Sequence, residues 1–200
     1  MLFRSILEAA RELFVTEGYE AVSMRKIAER IEYSAPALYF HFQDKAALLQ
    51  ELCGRDFLAL ARTFNGLAGI ADPLERLRQI GRAYVQFALA HPQQYRFMFL
   101  TPLPEVPHDE APVEKGNPAQ DAYALLRVTV SECIFEGRLR PELTDPDLVS
   151  QMVWAATHGL IALHIVMAGS RTWVEWRPAE STADELIEVL IRGLARSRET

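Results

Sequence analysis

Residues 23–45 read SMRKIAERIEYSAPALYFHFQDK. Ile27, Ala28 and Ile31 recur at the three- and four-residue spacing that stacks apolar side chains on one helical face, leaving Arg25, Lys26, Glu29 and Arg30 to water. Ser23 precedes this run and can accept a hydrogen bond from a free amide of the first turn, so a helix is expected from about Met24 to Ile31. Glu32 and Tyr33 interrupt the pattern. Ser34 followed by Pro36 is a second start signal, because proline is tolerated in a first turn. In that second short helix Leu38 and Phe42 can both point at a core, so Ala35, Ala37, Tyr39 and His41 turn away from it. Asp44 caps a third helix and leaves Lys45 in its first turn, where free amides and a cation can together hold a phosphate.

Two short helices around a tight break form a helix-turn-helix, whose second helix enters the major groove of duplex DNA while flanking groups clamp the backbone. A helical hairpin with a solvated basic face has the same spacing. The longer stretch ILEAARELFVTEGYEAVSMRKIAERIEYSAPALYFHFQDKAALL resembles the N-terminal domain of the TetR/AcrR transcriptional regulators. The likeness rests on a first helix ending at Gly18-Tyr19, the Ile27-Ala28 pair, Ser34, the run Leu38-Tyr39-Phe40-His41-Phe42, and Lys45 with Leu48. It implies that Arg25, Ser34, Ala35, Pro36, Ala37, Tyr39, His41 and Lys45 face DNA. Tyr39 and Lys45 would hold phosphates, and Arg25 with the start of the second helix would meet base edges. The chain departs from the family at Glu32, where glycine is usual. A glutamate in that turn costs about 1 kcal/mol if the backbone takes the same positive φ.

Composition narrows the remaining classes. The 200 residues are 50% hydrophobic, enough to bury a real core, and the net charge is −6 from 21 basic and 27 acidic residues. A protein that coats nucleic acid indiscriminately needs a broad basic surface, which this chain lacks. Lys26 and Lys45, two of its three lysines, both fall in the proposed reading element, a placement that suits site-specific binding. Cys53 and Cys133 sit inside helical patterns and read as small apolar residues. Glu8 and Glu12 interrupt any apolar run at the N-terminus, so no secretory signal is expected and a reducing cytoplasm is.

Beyond Lys45 the pattern stays helical, and the fold class expected is all-α, with domains at 1–48 and 49–200. Helices are expected at 45 to about 66, from Pro73 to His91-Pro92, in PQQYRFMF, and at about 119–136, 147–168 and 182–196. Thr101 to Pro118, with five prolines, is a loop. Met152 to Gly169 is nearly continuous in apolar residues, yet it contains His158 and His164, lies close to Asp147 and Arg171, and is shorter than the roughly 20 residues a bilayer demands. It is expected to be buried between its own domain and another body rather than in a membrane. With a last helix carrying Ile187, Leu190, Ile191 and Leu194, and with Ile161 and Ile165 of its own, it would pair with symmetry mates in a homodimer interface; the alternative is that both stripes close the monomer core.

YVQFALAHPQQYRFMF and VWAATHGLIAL resemble the C-terminal domain of a TetR subgroup marked by Trp, His and Gly at the spacing of Trp154, His158 and Gly159. That resemblance implies an effector-binding and dimerising domain. Tyr84, Phe87, Met98, Tyr123, Trp154 and His158 have the chemistry of an apolar effector pocket with a few orienting polar groups, although any single aromatic among them reads first as core. The chain holds no HExxH, no phosphate-cradling glycine loop and no GxSxG. Its one Glu-x-x-His spacing, Glu105 to His108, lies in the proline-rich loop, and its five histidines form no three-ligand set. No metal, cofactor or enzymatic activity is expected. The reading reached is a homodimeric repressor released from double-stranded operator DNA by a small-molecule effector. A helical carrier or enzyme with a vestigial helix-turn-helix, and a DNA-bound structural protein without effector, remain the alternatives.

Overall fold

The computed structural model describes residues 2–104, 113–167 and 174–196. Glu105 and His108, Gly169, Arg171 and Trp173 therefore lie outside the described residues. Helices run Leu2–Glu17 (α1), Met24–Arg30 (α2), Ala35–Tyr39 (α3), Lys45–Asn65 (α4), Pro73–Ala90 (α5), Pro92–Tyr95 (α6), Ala122–Phe135 (α7), Pro146–Met167 (α8) and Ala179–Leu194 (α9). A π-helical turn, Arg96–Leu100, continues α6. Among the described residues no strand forms, and the one β-bridge pairs Leu139 with Ala195. The fold is all-α.

Two compact units form, residues 1–57 with 91–113, and residues 58–90 with 114–200. The boundary expected at residue 48 falls inside α4, and the first unit takes back a later segment of chain. The reason is in its core. Ile6, Ala10, Phe14, Ile27, Leu38, Leu48 and Leu52 are buried together with Phe97, whose ring stacks 6.3 Å from that of Phe14. Asp56, 1% exposed, accepts Arg11 Nε at 2.9 Å and Nη2 at 2.6 Å on its two oxygens, and Gln94 Nε2 at 2.8 Å. This bidentate pair ties α1 to α4, and the Gln94 amide ties in α6. Burial pushes the Asp56 carboxyl above the usual carboxylate range, against the pull of Arg11 and Gln94.

In the second unit α5 packs on α7, α8 and α9. Leu77, Ile80, Tyr84, Val85, Phe87 and Ala88 form its buried face. Gly81 lets α9 come close, since a Cβ there would stand 3.2 Å from the Ile187 side chain. Ile161, Ile187, Ile191 and Leu194, expected between two copies of the chain, are each no more than 6% exposed within a single copy and have little surface to offer a partner. Ile165 and Leu190 are half-buried. The face of α8 that does reach solvent carries Leu148, Met152, Leu163 and Val166, while Val149, Ser150, Val153, Thr157 and Ile161 face the core. By length and composition α8 could cross a membrane; its buried face is engaged within this unit.

Candidate nucleic-acid and effector sites

The reading element is built at the start of the first unit. Ser23, with extended backbone (φ −114°, ψ 158°), accepts the Lys26 amide at 3.2 Å and starts α2. Met24, Ile27 and Ala28 are its buried face. The break that follows turns on Glu32 at φ 60°, the one non-glycine residue with positive φ among the described residues. The backbone expected for glycine is kept and the glutamate takes it, with its side chain exposed. Ser34 then occupies the N-cap of α3 without a side-chain cap bond, and Pro36 stands in the first turn. The proline pre-sets φ for that turn, and Leu38, fully buried, anchors the five-residue helix to the core.

Around that anchor Ser34, Pro36, Tyr39 and His41 are exposed and Ala37 is half-buried. Ala35 differs from expectation, for it packs partly against the core of its own unit. The His41 ring lies edge-on to Phe3, with centroids 6.0 Å apart. Two residues outside the expected set also open to solvent here, Tyr33 at 51% and Phe40 at 87%. Phe40 sits between Leu38 and Phe42, off the buried stripe, and that spacing is the signal that marks it. The face is aromatic and small rather than cationic.

Its cations are largely engaged. Arg25 Nε donates to Glu29 at 2.8 Å, Lys26 pairs with Glu17, and Arg30 with Glu12. Asp44 caps α4 by accepting the Ala47 amide at 2.8 Å, as expected. Lys45 does not project freely. Its Nζ donates to the carbonyls of Tyr19, at 2.8 Å, and Val22, at 3.0 Å, and lies 4.0 Å from the centre of the Tyr19 ring.

In the second unit Tyr84, Tyr123, Trp154 and His158 come together from α5, α7 and α8. The rings of Tyr123 and Trp154 are 5.9 Å apart, and those of Trp154 and His158 6.1 Å. Trp154 Nε1, which can only donate, reaches the Tyr84 hydroxyl at 3.4 Å, and that hydroxyl lies 2.9 Å from His158 Nδ1. The Tyr84 oxygen accepts from the indole, and the direction of its hydrogen bond with Nδ1 is set by the imidazole tautomer. Burial lowers the pKa of His158 and favours the neutral ring. Phe87, 5% exposed, is buried in the same unit. Met98 is not there. It packs against the core of the first unit with Leu103.

A helix-turn-helix with an aromatic face in one unit, and a hydrogen-bonded aromatic cluster in the other, define a two-unit helix-turn-helix protein. Comparison with known proteins gives the family. Residues 6–52 match the model described as bacterial regulatory proteins, tetR family, and residues 77–194, more than half of the chain, match the tetracyclin repressor-like C-terminal domain. This chain belongs to the TetR family of bacterial regulatory proteins. The HTH-type transcriptional repressor KstR of Mycobacterium tuberculosis is 30% identical over 141 residues, 62% of this chain and 64% of that protein. The HTH-type transcriptional activator FasR of Mycolicibacterium smegmatis is 36% identical over 95 residues, 47% of this chain and 43% of that one. These matches span less than two thirds of either relative. Among solved structures, the TetR family transcriptional regulator PfmR of Thermus thermophilus superposes with a TM-score of 0.73 at 25% identity, covering 96% of this chain and 99% of that one.

Proposed function

We propose that this chain is a ligand-responsive transcriptional repressor that binds operator DNA as a homodimer in the cytoplasm and leaves it when a small apolar or aromatic effector binds. The observation that carries the reading is the α2–α3 element, a helix-turn-helix whose exposed side lies opposite a fully buried Leu38, in a chain of the TetR family. Repression is favoured over activation by the likeness to KstR, the relative matched over the longer stretch. α3 would enter the major groove. Pro36 and Ala37 allow close approach, Tyr39 hydroxyl donates to a phosphate, and Arg25, whose pairing with Glu29 is exposed and weak, is available to a base edge.

The effector site is assigned to Tyr84, Phe87, Tyr123, Trp154 and His158. Aromatic rings would take an apolar body, and the hydrogen-bonded chain of Trp154, Tyr84 and a neutral His158 would orient a polar group on it. The partner face is assigned to Leu148, Met152, Leu163 and Val166 of α8 with Val189 of α9, each at least 43% exposed. Joining two copies there gives a two-fold dimer with two reading helices, which must meet major-groove faces about 34 Å apart. Effector and operator then weaken each other by the same factor.

The test is a gel shift with DNA from upstream of the chain's own gene. Tyr39→Phe, which removes one phosphate hydrogen bond per subunit, lowers affinity about fivefold for every DNA sequence bound. Unchanged affinity would remove Tyr39 from the interface.

A further inference from the structure

Tyr33 is held at its root and open at its tip. Two hydrogen bonds reach back from the break to close α2: the Glu32 amide donates to the Glu29 carbonyl at 3.2 Å, and the Tyr33 amide to the Ala28 carbonyl at 2.9 Å. With Glu32 at φ 60°, this is a Schellman closure, in which the second residue past the helix takes the longer-range bond and commonly folds an apolar side chain back on the helix. Here that residue is a tyrosine, 51% exposed, whose hydroxyl bonds to nothing among the described residues. The next residue, Ser34, is the N-cap of α3, and its side chain makes no cap bond.

We infer that the Tyr33 hydroxyl donates to a phosphate of the operator backbone at the entry of α3, as the counterpart of Tyr39 at its exit. The inference rests on the DNA-reading proposal above and adds a contact outside the residues named there. The backbone of Tyr33 is pinned by its bond to Ala28, and a tyrosine side chain turns about only two torsions, so little freedom is lost when the hydroxyl engages. Tyr33 and Tyr39, 51% and 53% exposed, stand at the two ends of the five-residue reading helix, where a pair of backbone contacts fixes its register along the duplex. A phenol can donate, and an O–H bond to an anionic oxygen is among the stronger hydrogen bonds. The neighbouring Glu32 is the group that opposes an anion here; its carboxylate is exposed, so water and salt screen that repulsion.

The experiment measures affinity by fluorescence anisotropy across a series of KCl concentrations, with the full chain and a duplex that the wild-type protein selects from a random library. Tyr33→Phe keeps the ring and the closure of α2. It is expected to lower affinity about fivefold at each salt concentration, with the slope of log K against log salt unchanged, because it removes a neutral donor and no cation. Duplexes in which a single phosphate is replaced by a methylphosphonate, which lacks one anionic oxygen, then locate the contact. At one phosphate of each half-site the wild type weakens and Tyr33→Phe weakens much less, so that the two losses are not additive. Unchanged affinity in Tyr33→Phe overturns the inference, since the hydroxyl then stays in water. A loss that is additive with the methylphosphonate at every position overturns it in favour of a contact to a base edge. Failure of the wild type to select any sequence overturns the DNA-reading proposal itself, and this inference with it.

Discussion

The two units hold their polar groups in opposite ways. In the first, the basic residues of positions 1–57 are held by carboxylates or carbonyls of the same unit, and what reaches solvent around α3 is aromatic: Tyr33, Tyr39 and Phe40. In the second, Trp154, Tyr84 and His158 form a hydrogen-bonded chain in which Trp154 is itself 38% exposed, and the other large hydrophobics that reach solvent along α8, Leu148, Met152, Leu163 and Val166, are aliphatic. A surface meant for a polyanion does not have to be a field of free cations. In the proposed reading, internal pairs fix the shape of the helix-turn-helix and leave contact to small and aromatic side chains, while the surface proposed for a second copy is plainly apolar.

The largest expected effect tests whether internal charge pairing frames the first unit. Asp56→Ala leaves the Arg11 guanidinium, 20% exposed, without its carboxylate and removes the acceptor of Gln94; it should cost about 3–5 kcal/mol, read as a fall in the thermal midpoint. A loss below about 1 kcal/mol, the value of an exposed pair, would erase the contrast between the units. Next come the two faces of α8. Ile161→Ala, at a fully buried position, should cost about 2–5 kcal/mol, whereas Leu163→Glu, two residues on and 50% exposed, should leave the midpoint nearly unchanged and convert dimer to monomer by sedimentation. If Leu163→Glu stayed dimeric, the exposed face would not be the partner surface.

Between those effects and the smallest lies the pH response of His158. Its folded pKa is depressed by burial, so as pH falls the unfolded chain takes up the proton first. Stability carried by the neutral ring is present above about pH 6.5 and is lost as pH falls through the folded pKa. Melting curves between neutral and mildly acid pH should slope accordingly, and His158→Phe should flatten them; an equal slope in the variant would assign it to other groups. Glu32→Gly is the smallest. Relief of the positive φ gains about 1 kcal/mol, and the added freedom of the unfolded chain takes part of it back. Stability should rise slightly, by less than 1 kcal/mol in chemical denaturation, and a fall would mean that the glutamate side chain supports the turn.

The helices of the first fifty residues are legible because each is announced by local chemistry. Ser23, Pro36 and Asp44 stand where caps and first turns require them, and even the strained turn at Glu32 follows from comparing its residue with the glycine usual in the family. What is not legible depends on which chain segments meet. Nothing local says that Phe97 and Gln94 return to the first unit, where Met98, read as pocket, packs half-buried against the core. On α9 a periodic stripe of Ile187, Ile191 and Leu194 marks a buried face without naming what buries it; in the single chain all three are buried, Ile187 against Gly81 of α5. Lys45 shows the same limit on a smaller scale, since a cation in a first turn has equal use for a phosphate and for a nearby carbonyl.

The return of residues 91–104 to the first unit also has a consequence for synthesis on the ribosome. Phe14 meets Phe97, and Asp56 meets Gln94, only after some forty further residues have emerged, so the reading head cannot close its core while it is the only part of the chain exposed. A chimaeric regulator cut after α4 would carry a head with an open seat where Phe97 belongs; a splice beyond residue 104 would carry the head whole.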